Sequence, residues 1–433
     1  MKKNCAFTIC SRNYLALARV LKQSITKYST SCDFYICIAD DIDRSLLLNN
    51  EIICKDILNF KDDEWIQLAF KYDVTEFCTF LKPYCFDFFQ NSYEKVCYFD
   101  PDILFYGSIN NVFDELEDDI EFLLTPHIVD IENAEESHTR IEDELRGSGI
   151  YNFGFLGLKT SSDTKKFITW WKKSLYNKCY RDGINYLYTD QVWGNYITTY
   201  FDLKKIKIQR DLGWNVAPWN FCERKINHKN NEIKVLNRNN PTEEFSILFV
   251  HYSGYNYKDF CSLKISQNNQ GHENEYEDVN ILFEFYSVEL NNNIDDLLNF
   301  LKLNYSYNFF SNGDTIDLFH RRLYRMLLLQ KKEIGNPFDS NNTLFYQSCR
   351  KNKLISSSLK NKNQQYIVNN VNNKKLLFIN YIMRIIFKII GYDRYLILLK
   401  FLKGYGQFEN QIHLIDRKNN VLWYRDFIIN NEN

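Results

Sequence analysis

The sequence predicts an α/β protein with a mostly parallel sheet, helices on both faces and a mainly helical C-terminal region. Three observations carry this. Short, almost wholly apolar runs alternate with stretches of helical periodicity over the first 260 residues. Polar residues gather directly after the apolar runs, where α/β sheets bind their ligands. Beyond about residue 260 strand signals cease and helical ones dominate.

Residues 4–10 form a first buried strand. Arg12 and Asn13 then lead into a helix with Leu17, Leu21, Ile25 and Tyr28 on one face. DFYICIA at 33–39 is a second strand, ending at Asp40 and Asp41, and KVCYF at 95–99 is a third. Further strands are expected at 121–125, 151–158 and 245–251, with helices at 76–90, 162–178 and 189–200. Arg12, Asp40/Asp41 and Asp100/Asp102 all fall at strand ends, so three polar clusters point to one crevice. The stretch 264–280 is polar and reads as a linker or loop, with helical patterns following at 282–303 and 315–331. Residues 356–375 are rich in Asn, Lys and Ser and are expected to be mobile. The expected domains are 1–260, carrying the site, and 261–433, a helical extension.

The chain has 433 residues, 45% of them hydrophobic and 16% aromatic, which supplies a large core. The net charge of −2 hides an asymmetry. Residues 1–150 hold 14 Lys/Arg against 28 Asp/Glu, and residues 351–433 hold 14 against 5. The acidic region suits a cation, the basic one an anionic surface; no nucleic-acid partner is expected. The twelve cysteines show no CxxC pair or zinc spacing, so they are expected to be reduced, in a cytoplasmic protein. MKKNCAFTICSRN has too short an apolar run for a signal peptide, and no uncharged apolar run reaches a membrane span.

The motif with most chemical content is EKVCYFDPDILFYG at 94–107. Asp100 and Asp102 follow a buried strand, and Pro101 fixes the backbone between them. Two neighbouring carboxylates repel unless a cation or proton intervenes. Oxygen ligands suit Mg²⁺ and Mn²⁺. The plain alternative is an aspartate turn that caps the strand.

Several further motifs occur in a consistent order: NYLALARVL, LKPYCFDFF, YFDPDILFYG, LTPH, GIYNFGFLGLK, TDQVWGN, GWNVAPWNFCERK and FVHYSGY. Together they make the chain resemble bacterial GT-A-fold glycosyltransferases, broadly the family 8 type of galactosyltransferases and glycogenin. The resemblance spans most of residues 1–260. It implies a Rossmann-like catalytic domain that takes a nucleotide-sugar donor, most simply a UDP-sugar, with Mn²⁺ or Mg²⁺ on Asp100 and Asp102.

By the same resemblance His251 in FVHYSG is a third metal ligand, and its nitrogen would favour Mn²⁺. Arg12, Asn13, Tyr14 and Asp40 would hold the nucleoside, and Lys82 and Asp100 would contact the donor. Asn152, a buried amide in need of partners, would bind sugar hydroxyls. Asp190 and Gln191 would lie near the reacting sugar carbon, although Asp190 could equally cap a helix. Asn215, Trp219 and Asn220 form an aromatic–amide cluster suited to a sugar, with a core tryptophan as the plain reading. His127 is given no metal role.

The resemblance implies transfer to a glycan or lipid-linked acceptor in surface polysaccharide synthesis, with retention favoured. A sugar nucleotidyltransferase is the first alternative, but its glycine-rich phosphate loop is absent from CSRNY. A non-catalytic carbohydrate-binding protein is the second. Residues 376–403 are apolar but punctuated by Arg384, Lys388, Arg394, Lys400 and Lys403. They either dock on the inner face of the cell membrane or pack on the catalytic domain.

Overall fold

The computed structural model describes residues 2–130, 141–229, 232–266, 276–330, 332, 334–355 and 373–416. The chain divides into two compact units. One comprises Met1–Phe60 and Val74–Ser306, the other Lys61–Asp73 and Tyr307–Asn433.

The strands of the first unit are, in order, β1 (Lys2–Cys10), β2 (Asp33–Ile38), β3 (Glu51–Ile53), β4 (Tyr93–Phe99), β5 (Ile103–Phe105), β6 (Phe122–Leu124) and β7 (Phe155–Lys159). There follow β8 (Arg181–Asp182), β9 (Leu187–Tyr188), β10 (Ile206–Ile208), β11 (Arg224–Lys229), β12 (Glu232–Asn237), β13 (Glu244–Ser246) and β14 (Phe249–His251). Seven of them make one sheet in the order β10-β6-β7-β4-β1-β2-β3. The sheet is mostly parallel, because only β7 runs against its neighbours. The order reverses between β1 and β4, and ligands of such sheets bind beyond the strand ends at that reversal.

The two-residue period of the strands splits the apolar side chains between two layers. Ala6, Ile36, Ile38, Cys97 and Phe99 face a core shared with the helix Leu15–Tyr28 and with β5 and β14. Phe7 faces the other way, 5.0 Å from Phe86 and 5.1 Å from Phe89 of the helix Val74–Gln90. Helices thus cover both faces, as expected for apolar strands. β11, β12 and β13 form a small antiparallel sheet, and β14 pairs antiparallel with β5.

Several expected elements change their bounds. The strand expected at 151–158 begins only at Phe155, because Asn152–Gly154 turn into the site. The strand expected at 245–251 divides into β13 and β14, which belong to different sheets. The helix expected at 189–200 is a tight 3₁₀ turn over Gln191–Tyr196, then one α-turn over Ile197–Tyr200. Its aromatic, β-branched sequence is poor in helix formers, and Thr189 before it takes a left-handed φ of 45°. The helix expected at 282–303 breaks at Asn292–Asn293 into Asn280–Asn291 and Ile294–Leu301. By contrast the helix Ser162–Lys178 has the expected bounds, started by a Ser161–Thr164 capping box. Of the stretch expected to be mobile, 356–372 lies outside the described residues, as do 267–275 of the expected linker.

In the second unit the helix Leu318–Leu329 packs on the helix Asp62–Lys71. Arg321, 1% exposed, donates to the carbonyls of Ala69, Phe70, Tyr72 and Tyr307 at 2.7–3.0 Å. One buried guanidinium therefore satisfies two orphan C-terminal carbonyls of Asp62–Lys71, those of Ala69 and Phe70, and that of Tyr72 just beyond. Two further helices, Asn373–Ile390 and Tyr392–Tyr405, are separated by Gly391 at φ 76°.

Candidate active site

The site is assembled at the β1/β4 reversal. Asp100 follows β4, and its amide donates to the carbonyl of Gly154 at 2.8 Å. Three residues on, at Ile103, β5 begins, and its antiparallel partner β14 places His251 opposite Ile103. That register brings a histidine far along the chain onto the aspartate pair. His251 Nε2 lies 3.1 Å from Asp102 Oδ1 and 3.6 Å from Asp100 Oδ2. One ligand atom from each of the three residues falls within 4.8 Å of the others.

The surroundings hold these groups in place. Tyr98 donates its hydroxyl to Asp100 Oδ1, and Tyr257 donates to Asp102 Oδ2 at 2.8 Å. Burial raises the pKa of both phenols, and the adjacent aspartates raise them further, so both remain donors. Gly154 touches the imidazole so closely that a Cβ there would lie 2.4 Å from His251 Cε1. Burial alone would lower the pKa of His251, but Asp102 and then Asp100 outweigh it, so the pKa is raised. Two carboxylates and an imidazole converge here, and His251 Nδ1 is buried without a hydrogen-bond partner; together they make an oxygen-and-nitrogen set that fits a divalent cation.

Lys82 is buried beside this set. Its ammonium donates to the carbonyl of Phe153 at 2.8 Å, lies 2.9 Å from Asp190 Oδ2 and 3.7 Å from Asp100 Oδ1, and sits over the Tyr98 ring. Burial disfavours its charge, but Asp190 and Asp100 prevail and its pKa is raised. Asp190 makes no side-chain cap to the turn that follows it. The helix-capping reading therefore gives way to a buried ion pair.

Behind them lies a layer of amides. Asn215 donates to Thr125 Oγ1 at 3.0 Å and to Asn152 Oδ1 at 3.1 Å. Asn152 Oδ1 also accepts from the Gly154 amide, and its Nδ2 faces His127 Nε2 and Gln191 Oε1. Gln191 accepts from the Phe153 amide and donates to the Ser148 carbonyl. Burial lowers the pKa of His127 to about 4, which leaves a neutral ring to accept from Asn152. The partners that Asn152 needs therefore come from the protein. Asn220 is spent on the backbone of Ala217, Asn215 and His127. Trp219 stands edge-to-face with His251 at 5.1 Å.

At the ends of β1 and β2, the Arg12 amide donates to Asp40 Oδ2, and its guanidinium to the carbonyls of Asn304 and Asp41. Asn13 accepts from Ser11, and Tyr14 packs edge-to-face on Tyr257 at 5.7 Å. Asp40 is 1% exposed and accepts from Ser306. Burial pushes its pKa up to about 6 against the pull of these donors.

All the catalytic, donor and metal candidates singled out in the sequence thus lie in the first unit. The reading missed Tyr98, Gly154 and Tyr257, which contact the aspartates or the histidine directly. Gly154 left a trace in NFGFLG, and Tyr98 in its two-residue spacing from Asp100. Tyr257 left none, because a short turn after β14 delivers it.

No family model matches the chain. The uncharacterized protein YfnF of Bacillus subtilis (strain 168) is 25% identical over 289 residues, which is 65% of this chain and 90% of that protein. Solved structures that resemble this chain include those of glycosyltransferases. The galactosyltransferase LgtC, in complex with donor and acceptor sugar analogs, is 15% identical, covering 58% of this chain and 87% of its own, with a TM-score of 0.37. The bifunctional glycosyltransferase WbbM is 12% identical over 63% of this chain and 51% of its own, with a TM-score of 0.37. The glycosyltransferase GlyE of Streptococcus pneumoniae TIGR4 is 17% identical over 49% and 47%, with a TM-score of 0.32.

Proposed function

We propose that this protein is a metal-dependent GT-A glycosyltransferase that moves a sugar from a nucleotide-sugar donor, a UDP-sugar by resemblance, to a glycan or lipid-linked acceptor. The observation that carries the reading is the convergence of Asp100, Asp102 and His251 at the β1/β4 reversal. These three residues would hold Mn²⁺ or Mg²⁺. Bound there, the cation would neutralise charge on the leaving nucleoside diphosphate.

The chain's own groups supply the rest. Tyr98 and Tyr257 fix the two carboxylates by hydrogen bonding. Lys82 pairs with Asp190 beside them, opposing the burial that raises the Asp190 pKa, and Gln191 ties the Phe153 turn to Ser148. Asn215 Oδ1 and Trp219 Nε1 are buried without hydrogen-bond partners, an acceptor and a donor that sugar hydroxyls would satisfy. The Trp219 face adds apolar surface for the sugar ring. Asp190 and Gln191 are read as flanking the reacting sugar carbon. Retention is favoured, because the Asp190–Gln191 motif and His251 resemble those of retaining members. Arg12, Asn13, Tyr14 and Asp40 would frame the nucleoside.

The test is release of UDP from a panel of UDP-sugars without acceptor, with and without Mn²⁺. Mn²⁺-dependent release from one sugar, lost in Asp102→Asn, supports the reading. Formation of a nucleotide sugar from UTP and a sugar 1-phosphate would favour the nucleotidyltransferase instead.

A further inference from the structure

The helices Asn373–Ile390 and Tyr392–Tyr405 carry many exposed apolar side chains. No residue from Leu377 to Gly406 is buried. On the first helix Phe378, Ile382, Ile385 and Ile389 follow one another at steps of four, three and four residues. They form a single stripe, and all are exposed, Ile389 to 76%. On the second helix Tyr392, Leu396 and Leu399, at steps of four and three, make a like stripe, also exposed. Met383, Ile386, Tyr395 and Leu398 are only partly exposed, and Phe387 meets Tyr395 edge-to-face at 5.2 Å. An exposed apolar surface of this extent marks a docking site.

We infer that this helix pair docks in the interface of an anionic lipid surface, with the apolar stripes inserted and the cations at the headgroups. Charge chooses the occupant. From Leu377 to Tyr405 the chain carries Arg384, Lys388, Arg394, Lys400 and Lys403 against the single acid Asp393. Arg384 and Lys388, four apart, share one side of the first helix next to its apolar stripe. Their long side chains can reach up to headgroup phosphates while the stripe sinks. A second copy of the chain is the poorer occupant, because a two-fold interface would set this one-signed surface against itself, and interface cores are depleted of lysine. Spanning is also disfavoured: among the described residues no helix is long and apolar enough to cross a membrane. The inference does not depend on the sugar-transfer reading, since lipid binding is measured without any substrate.

The experiment is co-sedimentation of the full chain with phosphatidylcholine vesicles and with vesicles containing phosphatidylserine, at low and high salt. The wild type is expected to bind the anionic vesicles at least tenfold more tightly, with the gain lost at high salt. Ile382→Ser/Ile389→Ser/Leu396→Ser should weaken that binding at least tenfold, and so should Arg384→Glu/Lys388→Glu/Lys400→Glu. All six side chains are exposed, so both variants should keep the wild-type melting temperature. Absence of binding at low salt, or binding that neither variant weakens, would overturn the inference. Dimerisation abolished by the serine variant, with no vesicle binding, would do the same and would assign the surface to a second copy.

Discussion

Lys82 Nζ lies 2.9 Å from Asp190 Oδ2 with both side chains almost wholly buried. An ion pair of this kind contributes modestly while intact, but a lone buried charge is costly. Lys82→Met should therefore destabilise the fold by about 3–5 kcal/mol. Lys82→Met/Asp190→Leu should recover much of that loss. Urea denaturation of the two variants checks this, and equal destabilisation would mean that the pair is not coupled.

Asp100→Asn and Asp102→Asn should each weaken Mn²⁺ binding by roughly a hundredfold or more while leaving the thermal midpoint within a few degrees. Calorimetric titration of Mn²⁺, with the melting curve as control, is the measurement. Unchanged affinity in both variants would remove the metal site from the proposal.

Loss of His251 should be felt by one metal more than the other. Imidazole suits transition-metal ions better than Mg²⁺. His251→Ala is expected to lower activity with Mn²⁺ by a larger factor than activity with Mg²⁺, read as the ratio of kcat/KM values. Equal losses would make His251 a packing residue.

Gly154→Ala asks how tightly the imidazole is held. The new methyl would lie 2.4 Å from Cε1 and 2.7 Å from Nδ1 of His251, so the ring or the loop must move. Expected are a loss of about 1–3 kcal/mol in stability and a weaker Mn²⁺ affinity. A variant with wild-type affinity would show that the ring swings aside without cost to the site.

Asp40 gives a pH dependence. Its pKa is raised to about 6 by burial, above its unfolded value. The folded state thus binds the extra proton, so this stabilising contribution is complete below about pH 4 and is lost as pH rises through about 6. Relative to Asp40→Asn, the wild type should lose roughly 1–1.5 kcal/mol of stability between pH 5 and pH 8. Parallel denaturation series at the two pH values decide it, and a constant difference would place the Asp40 pKa near that of an exposed acid.

The sequence by itself determined the alternation of buried strands and helices, because both-sided burial demands apolar runs and local periodicity reports it. It also determined that acids stand at the ends of β2 and β4. Residues 94–107 declared the aspartate pair through contiguity alone. Tertiary structure decided what those acids meet. His251 reaches Asp102 only because β14 pairs with β5, and Lys82 reaches Asp190 only because a helix and a distant turn converge. Such contacts leave no local period. Nor could periodicity say which apolar stripes find a core. Phe7 and Phe378 look alike in sequence, yet one is sealed between the sheet and a helix and the other is 64% exposed. Burial is set by whether a complementary surface exists elsewhere in the fold, and no local window of sequence contains that information.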